Sequence, residues 1–155
     1  MTITLQAIES EHARIAALIE EFKRQPQATE IRIAAVTIPL AAGERLAGSI
    51  LNDDGTLSHY VILLPDEAES VNWKDALAWA VEHGGELPTR REQSLLFSNT
   101  KDEFEAAWYW SGEQHEENSG WAWYQSFITG YQSGHGQRHE FRARAVRRYT
   151  PPRKV

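Results

Sequence analysis

The sequence predicts an α+β protein: one long helix, then short strands around two helices grouped at mid-chain. Three observations lead there. Residues 2–24 repeat apolar side chains on a seven-residue period. Two capped helical stretches, NWKDALAWAVEHGG and ELPTRREQSLLFSN, follow in the middle of the chain. Around them lie short runs rich in β-branched and aromatic residues, punctuated by Gly, Asn and Asp. A chain of 155 residues, 41% apolar and 25% charged, is long enough for one domain with a real core, or for a small domain plus an appendage.

The long helix is expected over residues 2–24. Leu5, Ile8, His12, Ile15, Ile19 and Phe22 recur at spacings of 3, 4, 3, 4 and 3, an a/d seam whose one polar member is His12. Glu9, Glu11, Arg14, Glu20, Glu21, Lys23 and Arg24 lie outside it, and Pro26 ends the pattern. One amphipathic helix lying on its own domain fits this pattern. So does a short coiled coil joining subunits, and the narrowness of the stripe favours self-association. Isoleucine at several seam positions permits a trimer. Residues 25–30 read as a polar linker, and 150–155 as a disordered tail.

After the linker the period changes. IRIAAVTIPL is rich in β-branched residues and is expected to be a strand ending near Pro39. A hairpin should follow, Leu46 to Leu51 and His59 to Leu64, turning at Asn52-Asp53-Asp54-Gly55. That acidic turn lacks the spaced oxygen ligands of a calcium loop. Asn72 can cap the next helix, with Trp73, Ala76, Leu77 and Ala80 on one face and Gly84-Gly85 as the stop. Thr89 and Glu92 form a capping-box pair for the second, Pro88 keeps Leu87 extended, and Leu95 and Leu96 supply the buried face. Ala107 to Ser111 reads as an aromatic strand. WAWYQSF alternates Trp121, Trp123, Gln125 and Phe127 against Ala122, Tyr124, Ser126 and Ile128. Thr129 to Gly136 reads as a Gly- and Ser-containing excursion, and EFRARAVRRY as a closing strand. Trp108, Trp110, Trp121 or Trp123 and Phe141 are the expected aromatic core.

Several function classes are disfavoured. With no cysteine, there is no disulfide, thiolate metal site or cysteine nucleophile. No apolar run reaches the roughly 18 residues that cross a bilayer, so no membrane insertion is expected. MTITLQAIESEHAR lacks the layout of a signal peptide, and a cytoplasmic or virion-associated location is expected. Net charge is −6, yet Arg138 to Lys154 holds seven basic residues against one acid, Glu140. A strand with solvated arginines and a loose basic tail explains this; a patch for phosphates or an acidic partner is the alternative, and nucleic acid is not the expected partner. His115, His135 and His139 with Glu116 or Glu117 are the one set from which a zinc site could be drawn. Gly134 and Gly136 argue against a helix that would align His135 with His139, and exposed loop histidines are the better reading. Ser111, Ser119, Ser126 and Ser133 lack a nucleophile elbow, and GYQSGHG lacks the lysine and helix of a phosphate loop. No enzyme, cofactor or metal is expected.

Leu87-Pro88-Thr89, Trp108-Tyr109-Trp110-Ser111 and the Arg142 to Arg148 strand, in that order, carry a family resemblance. The stretch from Gly43 to Tyr149, about two thirds of the chain, resembles a bacterial and phage domain of unknown function related to the C-terminal domain of collagen-like adhesins. The resemblance implies a C-type-lectin-like head over residues 31–149, two helices flanking a mostly antiparallel sheet, preceded by an amphipathic or coiled-coil helix. It connects the chain with the formylglycine-generating enzyme fold and with phage variable receptor-binding proteins. Formylglycine-generating chemistry does not carry over, because it uses cysteines. Calcium-dependent sugar binding does not either, because the Glu-Pro-Asn or Gln-Pro-Asp and Trp-Asn-Asp ligand motifs are missing.

The implied binding face falls on the glycine-spaced stretch after Phe127. Tyr131, Gln132, Ser133, His135, Gln137 and Arg138 have the composition of an adaptable recognition surface, with Tyr124 beside them. Arg142 and Arg144 would suit phosphates or carboxylates. The expected function is a non-enzymatic phage- or prophage-type recognition protein, a head on an oligomeric helical stalk that binds a host-surface component or another protein. Alternatives are a cytoplasmic protein that holds a small anionic ligand or blocks a host protein, and a structural particle component.

Overall fold

A computed structural model describes residues 2–25 and 29–152. The centre of the expected linker, 26–28, and the end of the expected tail, 153–155, lie outside the described residues, as does Pro26. The chain divides into two units, Met1–Ala35 and Val36–Val155.

The first unit is built on α1, Leu5–Arg24. It starts at residue 5 rather than 2 because the Thr4 side chain accepts the Ala7 N–H and caps the first turn. Lys23 and Arg24 stand in the last turn, where cations complement the helix dipole. None of its side chains is buried.

The second unit is α+β. Strands β1 (Arg45–Leu51), β2 (Leu57–Leu63) and β8 (Val146–Tyr149) form an antiparallel sheet in the order β1-β2-β8. A five-stranded sheet has the order β3-β7-β4-β5-β6, from β3 (Ala68–Val71), β7 (Phe141–Ala143), β4 (Trp108–Gln114), β5 (Trp121–Ser126) and β6 (Gln132–Gly136). Its neighbours are antiparallel except β4 and β7. Helices α2 (Trp73–Glu82) and α3 (Arg90–Thr100) lie between β3 and β4 in sequence.

The local signals explain the two helices and the hairpin. Asn72 accepts the Asp75 N–H at the start of α2. Thr89 and Glu92 make both bonds of the capping box on α3. At the hairpin turn Gly55 takes φ +85°, and the Asp54 carboxylate accepts the Thr56 N–H and hydroxyl. Two apolar clusters form, one on each side of the five-stranded sheet's period-two pattern. Trp110 and Tyr124 are paired in register and pack with Trp73, Ala76 and Ala80 of α2. Tyr109 and Phe127 pack with Leu96 of α3 and with β1, β2 and β8.

Four expectations need correction. IRIAAVTIPL is no strand: residues 31–40 pair with nothing regular, and Ile31 and Ile33 are 89% and 85% exposed. β-branched composition makes a strand only where a sheet edge receives it. Thr129 to Gly136 is not all excursion. Gly130, at φ +82°, turns the chain back, and Gln132–Gly136 pairs with β5 as an edge strand. EFRARAVRRY is two strands in two sheets, broken at Arg144-Ala145. Finally, Trp110 and Phe141 are buried as expected, but Trp108 and Trp121 are 42% and 43% exposed. Each begins its strand, at opposite ends of the β4–β5 pair, while Ala122 and Tyr124 fill the core in their place.

Candidate recognition surface

The residues expected to bind a ligand separate into structural and surface groups. Arg144 is structural. It is buried at the β7–β8 break, and its guanidinium donates to the Glu103 carbonyl at 2.5 Å and the Leu64 carbonyl at 2.8 Å. These bonds tie the β7–β8 break to the Glu103 and Leu64 carbonyls, so both ends of each bond are paired. Gln132 is structural too. Its amide nitrogen donates to the Arg90 carbonyl and to Gln125 Oε1, both at 2.7 Å, and its oxygen accepts Arg90 Nε at 3.1 Å. Tyr124 is a core aromatic, stacked on Trp108 with centroids 4.9 Å apart. Arg142 donates to Glu67 at 2.6 Å, and the Tyr109 hydroxyl donates to the other Glu67 oxygen. That carboxylate raises Arg142 above its usual range, and burial together with Glu67 pushes the Tyr109 phenol up.

Tyr131, Ser133, His135, Gln137 and Arg138 remain along β6 and the turn after it. Tyr131 and Arg138 are exposed, and the others are partly so. Gln137 donates to the Ser119 and Trp121 carbonyls at 3.0 Å and pins that turn to the start of β5. Asn72, Lys74, Gly120, Gln137 and Arg138 line a cleft of about 280 Å³. His135 and His139 lie together, centroids 4.4 Å apart, against Phe141. His115 is not with them: it stacks on Trp123 at 4.9 Å, and Glu116 accepts the Trp123 indole N–H at 2.8 Å. The described residues hold no group of three or more His, Cys, Asp or Glu arranged for a metal. They also hold no helix long and apolar enough to cross a membrane.

Trp123 is engaged by two charged or polar neighbours. The Arg90 guanidinium lies 3.5 Å from its ring centroid, and His115 stacks on the ring as well. Trp108 is different. Tyr124 stacks on it and Phe141 meets it edge-on at 5.4 Å, yet it stays 42% exposed. It lines an open recess of about 460 Å³ with Ala106, Ala107, Ile128, Phe141, Glu69, Glu140 and Arg142. Of these, only Arg142 was expected at a binding site. Trp108 resembled core because a tryptophan inside an alternating strand usually is core. Glu69 and Glu140 gave no local signal, since β3 and the β6–β7 turn meet only through the fold.

The most buried charge lies elsewhere. Glu92 accepts Arg148 Nε and Nη2, each at 2.8 Å, the Thr89 N–H at 2.8 Å, and pairs with His59 Nε2 at 2.8 Å. Burial alone would push this carboxyl up, but the bonds from Arg148, Thr89 and His59 outweigh it and hold it at about 2. The network ties α3 to β2 and β8, and it reads as architecture rather than chemistry.

On α1 the seam residues Leu5, Ile8, Ile15, Ile19 and Phe22 are between 49% and 73% exposed. Leu18, outside the expected seam, is exposed as well and widens the stripe, and Ile3 is exposed ahead of the helix. His12 lies among Ile3, Ala7, Ile8, Glu11 and Ile15.

No protein-family model matches the chain, and no curated protein matches it.

Proposed function

We propose that this chain is a non-enzymatic recognition protein of phage or prophage type. Copies assemble through α1, and a C-type-lectin-like head binds a macromolecular target. The observation that carries this reading is the apolar stripe of α1. Six large apolar side chains, Leu5, Ile8, Ile15, Leu18, Ile19 and Phe22, are exposed on one helix, and Ile3 is exposed just before it. In proteins most of a helix's stability comes from packing such an amphipathic face rather than from propensity.

The head supports the same reading. An early strand and the last strand of the head pair, Tyr60 with Tyr149 through Leu63 with Val146. The motif residues work together: Thr89 caps α3, Glu92 completes the box, and Arg148 of the last strand grips Glu92. A scaffold held this firmly leaves Trp108, Tyr131 and Arg138 as outward groups, the pattern of rigid support under an adaptable surface.

The test is a double substitution, Ile15→Asp with Ile19→Asp, in the full chain. Two carboxylates in the seam should convert the assembly to monomers in sedimentation velocity and leave the near-ultraviolet circular dichroism of the tryptophan-rich head unchanged. An unchanged sedimentation coefficient would remove the assembly reading.

A further inference from the structure

We propose that the Trp108 recess is the point at which the head grips its target, and that it takes an arginine side chain of a partner protein. This rests on the recognition reading above and names the chemistry of its contact. Trp108, Ile128 and Phe141 form the apolar wall. Trp108 is backed by Tyr124 on one face and edged by Phe141, so the indole is fixed while much of its surface stays open. A preorganised aromatic with an open face is a platform for a flat or cationic group.

Charge selects between the possible occupants. Glu69 and Glu140 line the recess, and among the described residues Arg142 is the only cation that does. Arg142 is already paired with Glu67 at 2.6 Å. Counting Glu67, Glu69 and Glu140 against Arg142 leaves a local charge of −2. An anion is therefore repelled from the recess, although Arg142 alone would invite one. Glu140 is also oriented: the Ser70 hydroxyl donates to it at 2.9 Å. A guanidinium suits both parts of the recess. It stacks flat on indole and donates in its plane to a carboxylate, and an ammonium does this less well. At about 460 Å³ and open to solvent, the recess matches a side chain offered from a protein surface.

The experiment uses the full chain labelled with 5-fluorotryptophan, whose six tryptophans give six fluorine resonances. Trp108→Phe assigns the one that matters. The probe is a blocked Gly-Arg-Gly peptide, with its citrulline counterpart, equal in shape and uncharged, as the control. The arginine peptide should shift the Trp108 resonance saturably and leave the buried Trp110 resonance in place. The citrulline peptide should bind at least about fivefold more weakly, the loss expected when a cation–π contact and a charged pair are removed. Glu69→Gln with Glu140→Gln should weaken the arginine peptide by a similar factor. No shift at Trp108, an equal shift by citrulline, or full affinity without the two carboxylates would each overturn the proposal. The two readings fail separately. A silent recess in a chain that still assembles through α1 refutes the arginine site alone, and a responsive recess in a monomeric parent refutes the assembly alone.

Discussion

Glu92 shows how one residue can hold several distant segments together. A buried carboxylate is unfavourable by itself, and here it is compensated by a two-pronged bond from Arg148, a capping bond from Thr89 and a bond with His59. Glu92→Gln should lower stability at neutral pH by about 3 kcal/mol, because Arg148 then keeps only the exposed Glu86 as its charged partner. The acid response has a definite sign. The folded carboxyl sits at about 2, below its ordinary 4.5, so its contribution is complete above pH 4.5 and is lost as the pH falls towards 2. Urea unfolding across that window should show the parent losing more stability than Glu92→Gln. Equal acid slopes would mean that Glu92 is not anchored as described.

At the scale of elements, β6 depends on one small residue. A Cβ on Gly134 would lie 2.7 Å from His115 Cδ2, and His115 is stacked on Trp123. Gly134→Ala should therefore cost about 1–3 kcal/mol by overpacking, and should be close to neutral once His115→Ala has vacated the space. Thermal or urea unfolding of the four proteins of that cycle checks it; additive losses would place the strain elsewhere. The same scale separates what local signals could reveal from what they could not. Both mid-chain helices and the first hairpin were legible, because Asn72, Thr89, Glu92 and the Asp54-Gly55 turn act through neighbours in sequence. β3 and the break between β7 and β8 were not, since each depends on a distant partner, and β6, the hairpin partner of β5, was hidden by its Gly-, Ser- and Gln-rich composition. Arg144 bonds Leu64 and Arg142 bonds Glu67, 80 and 75 residues away. Composition suggested that both arginines face a ligand, and their partners make them structural. Tyr131, His135, Gln137 and Arg138 were recognisable as outward or rim residues because glycines space them. Trp108 with Glu69 and Glu140 became visible only when the strands were ordered.

At the scale of the whole molecule, a helix with an exposed apolar stripe precedes a head with two apolar clusters. Full burial of one Leu, Ile or Phe side chain contributes about 1.5–3 kcal/mol, so the α1 stripe is a large reserve of association energy. In the proposed assembly, part of that reserve would offset the cost of bringing copies together. Linked copies of one shallow recess would then bind a repeated target far more tightly than one copy does. Native mass spectrometry of the full chain, at micromolar concentration and without added ligand, tests this most directly. One discrete multiple of 17.6 kDa is the expected result, and the isoleucines of the seam permit three copies. A species at 17.6 kDa alone would contradict it.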